Sequence, residues 1–309
     1  MAKFRTNHIK QGSGSSFGCV TPLILFGMVI GLLWAIKKYP NFFNQFFDLD
    51  EEIINFPDTE VKDYEAETLF FLPSSESKAI IRHKHYALAY NEQHEVAEWV
   101  AYELTRDQLN QNRVRREDNY RSDPKVKTES ATSRDYSGSG YDRGHLLPVG
   151  DRKFSFEAMD ETFFMSNISP QVRNFNSGIW RELEEDVRDW ARKYRKVYVV
   201  TGPVLKGRPK ERIGRNKVSV PRRFYKVILD ISDPELKGIG FIIPNEVSDK
   251  ELQEYAVAID EVEALTGIDF FPDLMEDDLE KELESEFDTE LWDFDLRRYE
   301  TRINVWNVR

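Results

Sequence analysis

A single cysteine, Cys19, occurs in the 309-residue chain. No intrachain disulfide can therefore form, and no zinc site can be built from thiolates. The run Gly138-Ser139-Gly140 is not followed by Gly-Lys-Ser/Thr, which excludes a phosphate-binding P-loop at that point. There is no internal repeat, so solenoid and propeller architectures are excluded as well. A hydrophobic content of 40% with 13% aromatics rules out global disorder. The formal net charge of −12 at first argues against a polyanionic partner. Its distribution removes the objection. Between Asp273 and Asp295 twelve acidic residues face the single Lys281, whereas Lys206 to Lys226 carries nine Lys or Arg against Glu211 alone. Local fields, not the total, decide what a groove attracts.

Residues 17–36, FGCVTPLILFGMVIGLLWAI, are twenty consecutive uncharged residues. As a helix rising 1.5 Å per residue they would span the roughly 30 Å hydrocarbon core. No small-x-small cleavage site precedes Lys37-Lys38, so the segment reads as an uncleaved signal anchor. Lys3, Arg5 and Lys10 before it outnumber Lys37 and Lys38 after it, which places the N-terminus inside and the main domain on the extracytoplasmic face, periplasmic or extracellular. The expected organisation is a cytoplasmic segment 1–16, the transmembrane anchor 17–36, a stalk or linker 37–78, a folded domain 79–272 and an acidic tail 273–309.

Within the domain, Tyr86–Tyr90, Ala97–Leu104, Val197–Thr201, Lys217–Val220, Phe224–Asp230 and Gly238–Ile243 have the β-branched and aromatic composition of strands. Residues 106–140 are polar and read as a long surface loop. Helices are expected over Glu157–Phe164, over Ser177–Tyr194, where apolar residues recur at spacings of three and four, and over Leu252–Leu265, ended by Gly267. The fold class that follows is α+β, with an antiparallel sheet in a mixed α/β domain plus the N-terminal transmembrane helix. The tail fits an amphipathic acidic helix or disorder.

Three segments carry chemistry. Asp142-Arg143-Gly144-His145 sets a histidine beside an arginine in a turn that glycine permits. Asn167-Ile168-Ser169-Pro170-Gln171 follows, and then Asn176-x-Gly-x-Trp180 opens the long helix. Asn176, Trp180 and Glu184 are spaced four apart, so all three are expected on one helix face. An amide oxygen at the start of that face can ligate a hard cation, and a carboxylate two turns on can hold the cation's waters.

These motifs, with Thr201-Gly202-Pro203-Val204, Val218-x-Val-Pro221 and Leu265-Thr-Gly-x-x-Phe-Phe-Pro272, resemble the DNA/RNA nonspecific endonuclease family of ββα-metal nucleases over about residues 79–272. The resemblance implies metal-dependent hydrolysis of phosphodiester bonds in DNA and RNA, giving products with 5′ phosphates. It implies His145 as general base, Asn176 as the direct protein ligand of one Mg²⁺, Glu184 orienting metal-bound water and Asn167 positioning the site. The catalytic arginines would be Arg143 and an upstream residue, matched as Arg116 before Tyr120-x-x-Asp123, with Arg113 and Arg115 close by. Mn²⁺ suits the same oxygen ligands.

Other residues read more plainly. Trp180 is expected in the core, Asp142 as fixing its turn, and His83 and His85 as ordinary strand residues. The basic 206–226 stretch has the composition for sequence-independent phosphate contacts. The acidic tail is either solvated or, as a nucleic-acid mimic, folded over that stretch as an autoinhibitor. A histidine base near its ordinary pKa of about 6.5 would give activity rising from pH 6 toward 8. A catalytically weak, membrane-displayed nucleic-acid-binding module is the alternative, and a homodimer is left open.

Overall fold

The computed structural model describes residues 71–74, 79–128 and 130–308. Runs of β-branched and aromatic residues between turn formers give the strands. In chain order these are β1 (Ile80–Arg82), β2 (Ala87–Asn91), β3 (Val96–Thr105), β4 (Asp142–His145), β5 (Ile168–Gln171) and β6 (Lys196–Pro203). They continue with β7 (Glu211–Ile213), β8 (Val218–Val220), β9 (Arg223–Asp230), β10 (Lys237–Pro244) and β11 (Ala256–Val257). The α-helices are α1 (Arg106–Asn110), α2 (Phe156–Glu161), α3 (Trp180–Tyr194), α4 (Ile259–Thr266), α5 (Asp277–Ser285) and α6 (Leu296–Thr301). β1, β2, β3, β6, β9, β10 and β11 form one sheet in that order, with every pairing antiparallel. The fold is thus α+β.

Alternation along the strands gives the sheet two apolar faces. On β9, Phe224 and Ile228 join the cluster containing Trp180, Leu183, Val187 and Trp190 of α3. Tyr225, Val227 and Leu229 join the opposite cluster, with Ile259 and Val262 of α4 and Leu283 of α5. The short pair β4–β5 stands apart from this sheet, as does β7–β8. Ile168 of β5 packs with Ile213, Val218 and Val220 in a third cluster, which sets the basic hairpin beside the Asp-Arg-Gly-His strand.

Three sequence expectations change. The helix expected over 252–265 is interrupted, because Ala256 and Val257 pair with Phe241 and Gly240 at the edge of β10 and α4 starts only at Ile259. The expected linker ends earlier than residue 78: Phe71 is buried against Tyr198, and Ser74 donates its N–H to the Asp269 carbonyl at 2.9 Å. Residues 106–140 are not all surface loop, since they include α1 and the buried Asp123, which meets His83 Nε2 at 2.9 Å. The expected membrane span at 17–36 lies outside the described residues. Among the described residues no helix is long and apolar enough to cross a membrane.

The tail is built into the domain. Trp292 and Phe294 pack edge-on against Trp190, whose indole N–H donates to the Asp293 carbonyl at 2.8 Å. Its arginines make most of the ion pairs to α3, and Asp293 adds one to Lys193. Arg298 reaches Glu185, Asp186 and Asp189, and fully buried Arg302 pairs with buried Glu182 while donating to the Ser248 and Lys250 carbonyls. Among the described residues, no hydrogen bond or ion pair joins the tail to the basic 206–226 stretch. Folding of the tail over that stretch therefore has no support in the observed packing. Replacing Arg302 with Ala would strand Glu182 as a buried, uncompensated charge. The expected cost is about 3–5 kcal/mol in urea unfolding; a loss under about 1 kcal/mol would mean that the tail does not brace α3.

Candidate active site

His145 ends β4, held by the pairing of Asp142 to His145 with Gln171 to Ile168. Glycine is required just before it, because a Cβ at Gly144 would lie 2.1 Å from the Gln171 side chain. The imidazole sits between Tyr120 and Phe163, with ring centroids 5.7 and 5.1 Å away. Its Nε2 is buried and has no hydrogen-bond partner among the described residues. Burial, followed by the nearby Arg116 guanidinium, lowers the His145 pKa to about 3, with Asp118 opposing the shift. The ring is therefore neutral across the physiological range. This corrects the expectation of an ordinary pKa: burial between two aromatic rings disfavours the imidazolium.

Asn167 lies beneath this strand and is fully buried. Its Oδ1 accepts the Leu147 N–H at 2.9 Å, and its Nδ2 donates to the Leu147 and Thr162 carbonyls at 3.0 and 2.8 Å. With those atoms engaged inside the protein, Asn167 holds the chain just after His145 and does not line the cleft.

The cleft is lined by His145, Arg143, Arg116, Asn176, Glu184 and Tyr120, together with Arg181 and Arg188. Of the three upstream arginines considered, Arg116 is the one at the cleft. It pairs with Asp118 at 2.6 Å and lies 5.5 Å above the Phe163 ring. Arg143 stands over Tyr120 at 5.3 Å and donates to the Ser133 carbonyl at 3.3 Å.

Asn176 belongs to a widened turn, Phe175–Ile179, that is kinked at Gly178 and leads into α3. In a regular α-helix Asn176 and Glu184 would stand about 80° apart; across this turn both line the cleft. Trp180 does not share their face. It is fully buried against Phe175 and Phe224, so the expectation of one common face holds for only two of the three residues. Asn176 Nδ2 donates to Asp142 Oδ2 at 3.2 Å. A carboxylate only accepts, so the amide NH₂ is committed to Asp142 and Oδ1 is the atom left to meet a cation. Asp142, expected to fix its turn, thus also orients Asn176. An amide oxygen with a carboxylate two turns away is a sparse set of hard donors, which fits a cation that keeps most of its own waters.

Beneath the cleft lies a charge cluster that motif reading missed. Burial raises the Glu184 pKa above the usual carboxylate range, while Lys226 and Arg188 pull it back. Arg188 pairs with Asp151 at 2.9 Å, and Asp151 accepts the Tyr102 hydroxyl at 2.9 Å. Lys226 was grouped with the basic surface stretch. The structure buries it, with Nζ 4.7 Å above the Trp180 ring, whereas the other eight Lys and Arg of residues 206–226 are exposed. The only sequence signal was its period-two place on an apolar strand. His83 and His85 lie elsewhere and pair with Asp123 and Glu161 at 2.9 and 2.8 Å.

The chain matches the family described as DNA/RNA non-specific endonuclease over residues 70–277. It is 35% identical over 277 residues to mitochondrial Nuclease EXOG of Xenopus laevis, an alignment covering 85% of this chain and 76% of the frog protein. It is 36% identical over 203 residues to mitochondrial Endonuclease G of Homo sapiens, covering 62% and 68%. A solved EndoG/EndoGI complex contains a chain similar to it at a TM-score of 0.61 and 33% identity, covering 67% of this chain and 90% of that one.

A neutral imidazole whose Nε2 is buried should show no protonation step near its ordinary value. Its NMR signals in metal-free buffer are expected to stay flat between pH 8 and 5. A titration midpoint near 6.5 would contradict the burial described above.

Proposed function

Because the chain belongs to the DNA/RNA non-specific endonuclease family, we propose that it hydrolyses phosphodiester bonds of both DNA and RNA in a metal-dependent reaction. His145 is the general base, and Asn176 carries the metal, Mg²⁺ by ligand type, with Mn²⁺ suited to the same donors. The observation that carries this reading is one cleft lined by both a neutral histidine with an unpartnered Nε2 and an asparagine whose amide oxygen is left over by Asp142.

In this mechanism His145 takes a proton from the attacking water, for which its neutral form is required. Arg116 and Arg143 contact the phosphoryl oxygens, and Glu184 holds water beside Asn176. A bound divalent cation would supply positive charge for the phosphoryl group and the departing 3′ oxygen, leaving 5′ phosphate products. Tyr120 and Phe163 hold the imidazole in place by packing on it. The exposed cations of residues 206–223, beside β5, bind the backbone, and phosphate contacts carry no sequence information. Residues 17–36 anchor the protein in a membrane with this domain on the extracytoplasmic face, where a nonspecific nuclease is kept from its own genome.

Digestion of supercoiled plasmid and of structured RNA by the full chain tests the reading. Both substrates should be lost with Mg²⁺ and preserved with EDTA. His145→Ala should lower the rate roughly 10²–10⁴-fold, the usual range for a general base. Undiminished cleavage in EDTA would remove the metal from the account, and an unaffected variant would remove His145 as base.

A further inference from the structure

On the face of the sheet opposite α3, α4 and α5 meet through a group of carboxylates. Asp260 and Glu263 of α4 and Glu284 of α5 each offer one oxygen, and these oxygens lie within 4.8 Å of one another. Carboxylates at that spacing repel, and exposed ones would simply be solvated. Glu284 is not exposed. Only 5% of its surface reaches solvent, and its buried Oε1 has no hydrogen-bond partner among the described residues. Glu263 Oε1 accepts the Phe270 N–H at 2.7 Å, which fixes its carboxyl group beside Glu284. Among the described residues, no Lys or Arg forms an ion pair with any of the three.

More negative charge surrounds them. Glu280 on α5 and Asp269 in the loop after α4 both act on Glu284, as do Asp260 and Glu263, and Asp273 and Asp277 act in turn on Glu280. A buried, unpaired carboxylate among like charges is costly unless it is protonated or meets a cation. Burial first, and then these neighbours, push Glu284 up to about 9 and Glu263 up to about 7.

We propose that Asp260, Glu263 and Glu284 bind a divalent cation of the calcium type, which ties α5 to α4. The donor set is all hard oxygen, from two helices, with exposed Asp260 leaving room for waters. Calcium accepts six to eight oxygens in adaptable geometry, whereas magnesium demands a near-ideal octahedron. The site is separate from the cleft. Ile259 and Val262 of α4 and Leu283 of α5 belong to the apolar cluster on the other side of the sheet from Trp180, Leu183 and Trp190. The cation would neutralise the clustered charge and replace a shared proton as the means of tolerating it.

Thermal unfolding of the full chain at pH 8, in EDTA and in CaCl₂, tests this site. The Asn176→Ala protein is measured in parallel to remove the cation site proposed for catalysis. Calcium at about a hundred times its Kd should raise Tm by on the order of 5 °C. The rise should be the same in Asn176→Ala and absent in Glu284→Gln and Glu263→Gln. In EDTA, Glu284→Gln should melt no lower than the parent, since a neutral amide replaces a carboxyl that folding has to hold neutral among like charges.

No calcium response in Asn176→Ala would overturn the proposal. So would an undiminished response in Glu284→Gln, or marked destabilisation of that variant in EDTA.

Discussion

Helix α3 must meet two demands that pull against each other. One side has to be dry enough to hold the helix rigidly, and the other has to present polar atoms to a charged substrate. Trp180, Leu183, Val187 and Trp190 meet the first demand against Phe224, Ile228, Ile239 and Phe241 of the sheet. Each fully buried side chain of this kind contributes roughly 1.5–3 kcal/mol. That apolar seam fixes the helix axis, and the positions of Asn176 and Glu184 at the cleft follow from it. The C-terminal segment closes the remaining side, where Arg298 and Arg302 neutralise the acidic residues that α3 turns away from the sheet.

Electrostatics in the cleft are set by what is buried beneath it. Lys226 lies over the Trp180 ring, and Arg188 with Asp151 sits beside Glu184. The floor therefore carries both signs of charge with little water to screen them, which strengthens every interaction above it. Burial acts in opposite directions on His145 and Glu184. It keeps His145 neutral and raises Glu184 toward its protonated form. The same physics on the far side of the sheet leaves Glu284 Oε1 buried, and among the described residues no hydrogen bond reaches that oxygen and no arginine pairs with Glu284.

Much of the fold was legible from short-range pattern. β3, β6, β9 and β10 appear where β-branched runs stand between turn formers, and α3 appears where apolar residues recur every three or four. β4, β5 and β7 escaped because they are three or four residues long and partly polar, so alternation has no length in which to register. α4 was overextended because pairing with β10 captured Ala256 and Val257, a tertiary effect invisible in local sequence. At the site, His145, Asn176 and Glu184 were found through ordered motifs, and the structure brings them to one cleft. Lys226 was misgrouped because a charge count cannot tell which face of a strand a lysine occupies. The tail differs from its composition for a similar reason: twelve acids dominate residues 273–295, yet Trp292, Phe294, Arg298 and Arg302 decide where the segment packs.

The central claim is that a neutral imidazole at position 145 removes the proton from water. Replacing His145 with Gly would open space between Tyr120 and Phe163 of the size of the lost ring. Cleavage of plasmid by His145→Gly, with Mg²⁺ present, is then measured across a series of imidazole concentrations. The account predicts little activity without imidazole and a saturable recovery as it is added. A variant that stays folded and binds DNA but is not rescued at any concentration would contradict the assignment of His145 as the base.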